Sequence, residues 1–446
     1  MSTVVVVGGG LAGLTAALEC ADAGADVTLL EARPRLGGAT FSIRRDGLWM
    51  DNGQHVYLRC CTAYRRLLGR LGVEGDAVLQ DRLTIPIVSE DGSVFRLRRR
   101  NLPAPLHLTA AIARFPDLST SDRLGIARAA RRISQLDLGD PELDKRTFGD
   151  WLAEQRQSQA TVEALWDLIT LPTVNLPAKE ASLALAAKVF QTGLLQSSDS
   201  GDIGYARVPL QQLHGDSGLR ALEVAGVTVR LRTRVESIAR AGSAFEVSAD
   251  GSDLRADAVV LAVPHDEAAE LLPDGSGLDP DAFRSLGASP ILNLHVVYDR
   301  RVTELPFAAG HRSPVQWVFD RTRSAGVEDG QCLAISLSGA ASYIGKRVDE
   351  LRAEFLPALE RLFPPARYAR VEYFFVTREQ RATFRQAPGT RALRPGPRTA
   401  LPGLVLAGAW TDTGWPATME GAVRSGLAAS REVLERIPAP ALEAAA

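Results

Sequence analysis

The chain opens with an uninterrupted apolar run, Thr3–Val7, which leads directly into a glycine-rich segment and a second apolar stretch. An apolar run without alternation is typical of a strand that is buried on both faces of a parallel sheet. Glycines 8 to 13 then form a turn that starts a helix, and residues 26–30 read as the next strand. This order predicts a βαβ unit that binds a dinucleotide, rather than an ordinary glycine-rich turn.

The spacing inside this unit assigns a role to each glycine. Gly8 permits the tight turn, Gly10 lets backbone N–H groups approach the phosphates, and Gly13 lets helix and strand pack closely. The helix N-terminus adds about half a positive charge that faces the anion. Glu31 lies 18 residues after Gly13, at the end of the second strand. A carboxylate at this position is expected to bind the ribose hydroxyls of adenosine.

The later apolar segments complete a Rossmann-like domain, a parallel sheet with a β-meander. Residues 227–231, 234–238, 258–263 and 404–408 read as strands, Asp250 and Gly251 as a hairpin turn, and Met419–Leu434 as a terminal helix. We predict an α/β nucleotide domain formed by residues 1–81, 206–274 and 396–446. Residues 82–205, read as helical, and 275–395, read as alternating strands, are predicted to form a discontinuous α+β substrate domain. The alanine-rich tail, residues 438–446, is expected to fray.

Composition and charge exclude several classes of function. With 51 basic and 53 acidic residues the net charge is −2, which does not favour nucleic-acid binding. Four cysteines without CxxC spacing indicate a reducing cytosol, and six unclustered histidines indicate no metal site. The N-terminus is not a signal peptide, and no uncharged run reaches the roughly 20 residues that span a bilayer. We expect a cytoplasmic protein.

A basic and apolar segment near residue 100 has two interpretations. Residues 95–100 hold four arginines, and leucines and prolines follow at 102–106. Downstream, Ile126, Ala130 and Ile133 form one helical stripe between arginines. This pattern suits peripheral contact with the anionic inner face of a membrane. It equally suits a solvated helix over an apolar core.

The residues after Glu31 indicate which dinucleotide is bound. The run Glu31-Ala32-Arg33, followed by Gly37-Gly38 and Ala39, resembles the fingerprint of FAD enzymes of the amine oxidase and carotenoid desaturase superfamily. In that superfamily the second glycine pair meets the pyrophosphate of the flavin dinucleotide.

Two further segments are expected to frame the flavin ring, the N-terminal motif (residues 48–56) and the C-terminal motif (residues 408–426). The C-terminal motif brings residues 418–420 to a helix start, whose dipole favours negative charge on the flavin pyrimidine. The sequences Asp51-Asn52-Gly53-Gln54-His55 and Pro416-Ala417-Thr418-Met419-Glu420-Gly421 together resemble the hydroxysqualene dehydroxylase family, a squalene-associated branch of the carotenoid desaturase relatives. The chain departs from the family pattern at Ala39, where arginine is usual, and at Ala409, where an acidic residue is usual.

The resemblance implies FAD-dependent conversion of 12-hydroxysqualene, a polyisoprenoid, to squalene for hopanoid or related triterpene synthesis. Loss of the allylic hydroxyl as water, followed by hydride transfer from reduced flavin, would occur in a dry apolar pocket. A general acid must protonate the leaving hydroxyl. His55 is the first candidate because imidazole titrates near neutral pH, with Tyr57, Asp412 and Tyr205 as alternatives. The residues expected to bind FAD are Gly8, Gly10, Leu11, Ala12, Gly13, Glu31, Ala32, Arg33, Gly37, Gly38, Ala39, Gly53, Gln54, His55, Val235, Gly408, Asp412, Thr418 and Met419.

Three alternatives stay open. A carotenoid or phytoene desaturase would share the fold and the pocket and would differ only in the direction of electron flow. Amine or protoporphyrinogen oxidation is a second alternative, although no cysteine in the C-terminal motif is placed for covalent flavin attachment. A non-catalytic isoprenoid carrier is the third, and the intact glycine set with Glu31 counts against it. The sequence has no second nucleotide fingerprint and does not identify the electron donor.

Overall fold

A computed structural model describes residues 2–436, so the predicted frayed tail at 438–446 lies outside the described residues. The strand Thr3–Val7 is the centre of a five-stranded parallel sheet. Val4 and Val6 point into one core while Val5 and Val7 point into another, because alternate side chains of a strand face opposite sides. Both faces are therefore covered, which explains the uninterrupted apolar run. The strands are, in spatial order, Thr228–Leu231, Asp26–Glu31, Thr3–Val7, Ala258–Leu261 and Leu404–Leu406.

Each face of this sheet is covered by a different layer. On one face the helix Leu11–Asp22 packs against the terminal helix Met419–Leu434. The two helices approach so closely that a Cβ on Gly426 would lie 2.3 Å from the carbonyl oxygen of Ala12. The other face carries an antiparallel meander of Val235–Ala241, Ala244–Ala249 and Ser252–Ala256. The predicted α/β class, with parallel sheet and meander, is confirmed.

A second, seven-stranded sheet supports the rest of the molecule. Its strands are, in spatial order, Val371–Thr383, Ser289–Tyr298, Gln331–Leu337, Trp317–Asp320, Phe307–His311, Thr84–Ser89 and Val94–Arg98. The expectation of a helical segment from residue 82 is wrong at its start, because the last two strands form a hairpin. Apolar side chains alternate there with arginines in Phe95-Arg96-Leu97-Arg98, a period of two that fits a strand. The hairpin then pairs in parallel with a strand more than 200 residues later in the chain.

Along the chain, the remaining α-helices come mainly between the strands of these two sheets. They are Thr62–Arg70, Thr109–Ala113, Thr120–Ile133, Phe148–Glu154, Gln159–Thr161, Asp167–Val174, Leu183–Phe190, Ser217–Val224, His265–Leu271, Pro280–Ser285, Thr322–Ala325 and Val348–Leu362. Two small sheets lie in the chain segments between strands of the two large sheets. One contains Val56–Leu58, Ile203–Ala206 and Ala77–Leu79, and the other contains Ser42–Arg45 and Leu48–Asp51. Within residues 2–436, no helix combines the length and the apolar character needed to cross a membrane. The division into domains at residues 81/82, 205/206, 274/275 and 395/396 stays a prediction.

Candidate active site

One cavity of about 1550 Å³ runs from the glycine turn at residues 8–13 past the N-terminal motif to the helices near residues 109–127. Its first part is a polar groove along the carboxyl edge of the parallel sheet, where dinucleotides bind in open α/β sheets. Its second part is an apolar tunnel through the helical region. Both predicted motifs meet where groove and tunnel join.

The glycine turn has the geometry that its spacing predicts. Gly8 has a φ of +106°, and a Cβ there would lie 2.5 Å from the carbonyl oxygen of Ala262. A Cβ on Gly13 would lie 1.9 Å from the carbonyl oxygen of Gly8, so this glycine packs helix against turn and does not line the cavity. The helix Leu11–Asp22 begins at Gly10 without a side-chain cap. Its first N–H groups are therefore available to an anion in the groove.

Gly10 and Gly38 face each other across the floor of the groove. An ideal Cβ on Gly38 would lie 2.7 Å from the Cα of Gly10, and one on Gly10 would lie 3.7 Å from the Cα of Gly38. A side chain on Gly38 would therefore collide with the backbone of Gly10, whereas a methyl group on Gly10 would fit against Gly38 and occupy part of the groove. Arg35 stands beside it, with its guanidinium 3.5 Å from the ring centroid of Phe41 and a hydrogen bond of 3.3 Å to the carbonyl of Gly38. Arg35 thus places a cation at the groove next to Ala39, the position where the family pattern has arginine.

Glu31 is fixed at the end of its strand by two backbone donors. Gly9 N–H donates to one carboxylate oxygen at 2.6 Å, and Arg33 N–H donates to the other at 2.7 Å. Each oxygen keeps a further lone pair for a hydroxyl donor in the cavity. A cradle without Cβ atoms, an uncapped helix start and this oriented carboxylate together fit a dinucleotide such as FAD.

The C-terminal motif divides into a part that lines the cavity and a part that supports the fold. Gly408, Thr418 and Met419 line the cavity, and the Thr418 hydroxyl caps the helix Met419–Leu434 by accepting from Gly421 N–H. Glu420 points the other way. Its carboxylate accepts from Ala63 N–H at 3.2 Å and Tyr64 N–H at 2.8 Å at the start of the helix Thr62–Arg70. Glu420 therefore caps a neighbouring helix.

Two predicted catalytic residues lie outside the cavity. Asp412 is exposed, and its carboxylate accepts from Gly414 N–H at 3.0 Å in a surface turn. The ring of Tyr57 packs under Gly204 and against Tyr64, with its hydroxyl 3.4 Å from the carbonyl oxygen of Val78. The expectation that they act on substrate is corrected, since neither side chain reaches the cavity. Every other predicted FAD-binding residue except Gly13 lines the groove.

His55 stands at the junction of groove and tunnel. Burial away from water lowers the pKa of His55 to about 4, which leaves the imidazole neutral at neutral pH. Behind it, Asp51 and Arg321 form a buried ion pair at 2.7 Å. A second cavity of about 10 Å³ lies between His55, Tyr205 and this pair. Tyr205 thus reaches the rear side of His55 and not the main tunnel.

Two strands of the seven-stranded sheet form hydrogen bonds to the N-terminal motif. The side chain of Asn293 donates to the carbonyl oxygen of Asn52 at 2.9 Å, and the Thr377 hydroxyl donates to the same oxygen at 3.1 Å. These bonds fix the peptide that precedes Gly53. Sequence reasoning missed both residues, because no local pattern shows that two strands 84 residues apart along the chain meet under this loop.

The tunnel is apolar on nearly every side. Its walls come from segments scattered between residues 56 and 319 and include Leu58, Leu83, Ile85, Leu97, Leu108, Ile112, Ile126, Leu165, Trp166, Ile169, Pro172, Val189, Phe190, Leu194, Leu195, Ile203, Phe307, Trp317 and Phe319. Such a wall excludes water and accepts a long hydrocarbon.

Comparisons with known proteins agree with this geometry. A family model described as flavin containing amine oxidoreductase matches residues 11–434. The hydroxysqualene dehydroxylase of Rhodopseudomonas palustris is 30% identical over 441 residues, which cover 97% of this chain and 98% of that protein. The hydroxysqualene dehydroxylase of Sinorhizobium fredii is 30% identical over 436 residues, with 95% and 96% covered. The 15-cis-phytoene desaturase of Synechococcus elongatus is 24% identical over 477 residues, with 97% and 96% covered.

Solved structures share the fold. A putrescine oxidase bound to putrescine superposes with a TM-score of 0.73 at 21% identity, covering 98% of this chain and 99% of that chain. Cyclohexylamine oxidase from Brevibacterium oxydans gives 0.72 at 20% identity, with 97% and 99% covered. The chain belongs to the flavin-containing amine oxidoreductase family and is an FAD-dependent oxidoreductase. Within that family, the predicted resemblance to hydroxysqualene dehydroxylases is confirmed by the two relatives at 30% identity.

The groove between the two facing glycines gives a first prediction. Gly10→Ala adds a methyl group whose nearest neighbour is 3.7 Å away, at a φ of −75° that alanine adopts freely. We expect an unchanged melting temperature of the FAD-free protein and at least a tenfold weaker FAD affinity, equivalent to about 1.4 kcal/mol. Fluorescence titration with FAD measures the affinity. Gly345→Ala, in an exposed turn with open space around the Cβ, is the matched control. Tight FAD binding by Gly10→Ala would contradict the assignment of the groove.

The buried histidines predict a loss of stability in acid. Burial lowers the pKa of His55 and His295 to about 4 and that of His214 to about 3, whereas unfolded histidine titrates near 6.5. The unfolded state therefore binds more protons below pH 6.5. Stability should fall as the pH drops from about 6.5 toward 4, by up to about 1.4 kcal/mol per pH unit for each histidine. Denaturant unfolding of FAD-free protein at several pH values measures this slope. His55→Gln should reduce the dependence of stability on pH by the contribution of one histidine. An identical slope in that variant would contradict the lowered pKa of His55.

Proposed function

We propose that this protein catalyses the reductive dehydroxylation of 12-hydroxysqualene to squalene, in hopanoid or related triterpene synthesis. The observation that carries the proposal is the continuity of the cavity, in which a dinucleotide groove opens directly into a long apolar tunnel. Its volume of about 1550 Å³ exceeds the range of about 300 to 1,000 Å³ that is usual for one ligand. The cavity therefore has room for FAD and for a large hydrocarbon. The relatives at 30% identity are named for this reaction.

The proposed chemistry separates into two balanced events. Protonation of the allylic hydroxyl lets it leave as water, and the remaining delocalised cation accepts a hydride on carbon to give the hydrocarbon. FAD, when bound in its reduced form, supplies that hydride. The tunnel walls exclude bulk water, which would otherwise recapture the cation.

His55 is the residue that we propose to hold the proton. It is the first candidate acid from the sequence, and it lines the cavity where groove and tunnel join. Burial lowers its pKa to about 4, because desolvation disfavours the charged imidazolium. Negative charge bound nearby raises the pKa of an imidazole, which would make His55 protonated only when the site is loaded and reduced.

A desaturase acting on a carotenoid precursor is the second candidate function. The 24% identity to a 15-cis-phytoene desaturase over nearly the whole chain favours it, and the same tunnel would suit that substrate. The two reactions run in opposite redox directions. The third possibility, an isoprenoid carrier without catalysis, would not need the oriented Glu31 and the open glycine groove.

Anaerobic incubation distinguishes these functions. We expect the chemically reduced, FAD-loaded protein to convert 12-hydroxysqualene to squalene, with one flavin reoxidised per product. Product identification by mass spectrometry and flavin absorbance at the same time points measure both. The comparison experiment incubates the oxidised protein with phytoene. Desaturated product there, with no squalene in the first arm, would replace the dehydroxylase proposal by the desaturase one.

We also propose that the tunnel mouth contacts the anionic inner face of the membrane. Leu106 and Leu124 line the mouth and are 53% and 64% exposed, and Leu102 beside them is 42% exposed. Residues 95–135 hold nine arginines and two aspartates, although the whole chain has a net charge of −2. Most of these arginines are exposed, whereas Arg99 is buried in an ion pair with Asp202. Exposed leucines within a cationic surface suit an anionic lipid headgroup region.

The stripe of Ile126, Ala130 and Ile133 has a different place. Ile126 and Ile133 are buried in the apolar core of the helical region, and Ile126 and Ala130 line the tunnel. The stripe therefore faces inward, as the solvated-helix interpretation expects. Any lipid contact rests on the leucines at the mouth.

Vesicle co-sedimentation tests the membrane surface. We expect binding to vesicles of phosphatidylcholine with phosphatidylglycerol, and weak binding to phosphatidylcholine alone, because the arginines need an anionic surface. The double substitution Leu106→Gln and Leu124→Gln should lower binding several-fold. Val224→Gln, at an apolar residue that is 85% exposed on another helix, is the control. Equal binding by the wild type, the double variant and Val224→Gln, to vesicles with and without phosphatidylglycerol, would contradict the proposal.

A further inference from the structure

A buried arginine stands behind the cavity wall formed by the C-terminal motif. Arg394 is 6% exposed and donates to four carbonyl oxygens of one loop: Ala409 at 3.5 Å, Trp410 at 3.1 Å, Thr411 at 2.6 Å and Trp415 at 2.8 Å. The planar guanidinium presents several donors in a fixed fork, which a lysine cannot reproduce. Arg394 therefore fixes the path of residues 409–415, which lead into the cavity-lining Thr418 and Met419.

The charge of Arg394 has no carboxylate partner within residues 2–436. No acidic oxygen of the described chain lies within 4.0 Å of its guanidinium. Asp144 is bound to the Ser182 hydroxyl and to Arg391 N–H, and Asp412 lies in the exposed turn. Desolvation lowers the pKa of Arg394 to about 10, so it stays protonated at neutral pH. Backbone carbonyls are its direct hydrogen-bond partners, while Asp412 and Asp144 stabilise the cation only from beyond salt-bridge distance and Arg391 opposes them.

Only one layer of residues separates this cation from the cavity. The guanidinium lies 5.0 Å from the ring centroid of Phe384, and Phe384, Ala409 and Trp410 all line the cavity. Ala409 brings no negative charge to that wall. In a site of low dielectric, an unpaired cation behind a thin wall favours negative charge in front of it.

We propose that Arg394 is a positioning residue that orders the C-terminal motif and also stabilises the anionic, reduced form of the flavin relative to the oxidised form. Alanine at position 409 is part of this arrangement, because an acidic side chain there would neutralise the field of Arg394 at the cavity wall. The proposal rests on FAD as the cofactor and is independent of the substrate.

The flavin midpoint potential, measured without substrate, tests the proposal. Arg394→Met should weaken binding of reduced FAD at least tenfold more than that of oxidised FAD, which for this two-electron couple lowers the potential by about 30 mV or more. Arg394→Lys keeps the charge but not the fork, so it should lower FAD affinity while the potential stays near wild type. Arg391→Met removes a neighbouring cation that bonds the carbonyl of Leu138, and it should leave the potential unchanged.

Ala409→Asp keeps the test decisive if Arg394→Met fails to fold. It keeps the Arg394 side chain and adds a carboxylate that neutralises its charge at the wall, so the potential should again fall by about 30 mV or more. A wild-type potential in Ala409→Asp and in any Arg394→Met protein that folds, with only thermal stability altered, would overturn the electrostatic role. If the variants show the expected fall in potential but the wild-type protein forms no squalene, the role of Arg394 stands and the proposed reaction is contradicted instead.

Discussion

The buried ion pair between Asp51 and Arg321 holds the two halves of the active site together. Asp51 ends a strand beside the dinucleotide groove, and Arg321 follows a strand of the second sheet. Asp51 also accepts from the Ser42 hydroxyl and Leu210 N–H, and Arg321 also donates to the carbonyls of Ala206 and Val208. The carboxylate and one edge of the guanidinium are thereby paired within the protein, whereas Nε of Arg321 is buried without a hydrogen-bond partner. Removing one partner of such a pair costs about 3–5 kcal/mol, because the other charge stays buried and unpaired.

The electrostatics of the cavity follow from this arrangement. Charged and hydrogen-bonding groups are concentrated in the groove and directly behind the N-terminal motif, while the tunnel beyond His55 is almost entirely apolar. A histidine at the boundary is neutral as long as nothing charged lies in front of it. On the side of the C-terminal motif, Arg394 is a buried cation held by loop carbonyls behind the cavity wall.

Local pattern was sufficient to predict the nucleotide half. The apolar run, the glycine spacing, Glu31, the hairpin at Asp250 and the terminal helix Met419–Leu434 all depend on neighbours in sequence, and the structure has each of them. Long-range contacts could not be predicted from local pattern. The pairing of Thr84–Ser89 with Phe307–His311 and the cap that Glu420 forms on the helix Thr62–Arg70 each join segments more than 200 residues apart, and the carbonyl bonds of Arg394 depend on the path of the loop that follows it. Asp412 lies within the C-terminal motif and Tyr57 directly follows the N-terminal motif, but neither side chain lines the cavity, because a motif does not specify which side chains point into the site.

The sheet that supports the apolar tunnel is assembled from pieces that lie far apart along the chain, since the hairpin of Thr84–Ser89 and Val94–Arg98 joins the sheet through Phe307–His311, and Ser289–Tyr298 pairs with Val371–Thr383. On the ribosome, the first helical part of the tunnel would emerge long before its opposite wall exists. Its leucines and aromatic rings would then face solvent while about 170 further residues, from the end of the helix Thr120–Ile133 to Phe307, are synthesised. Proteins dominated by such non-local pairing fold slowly and expose sticky surfaces while they do so. Chaperone capacity during synthesis, rather than the stability of the finished molecule, is thus expected to limit how much active protein a cell obtains.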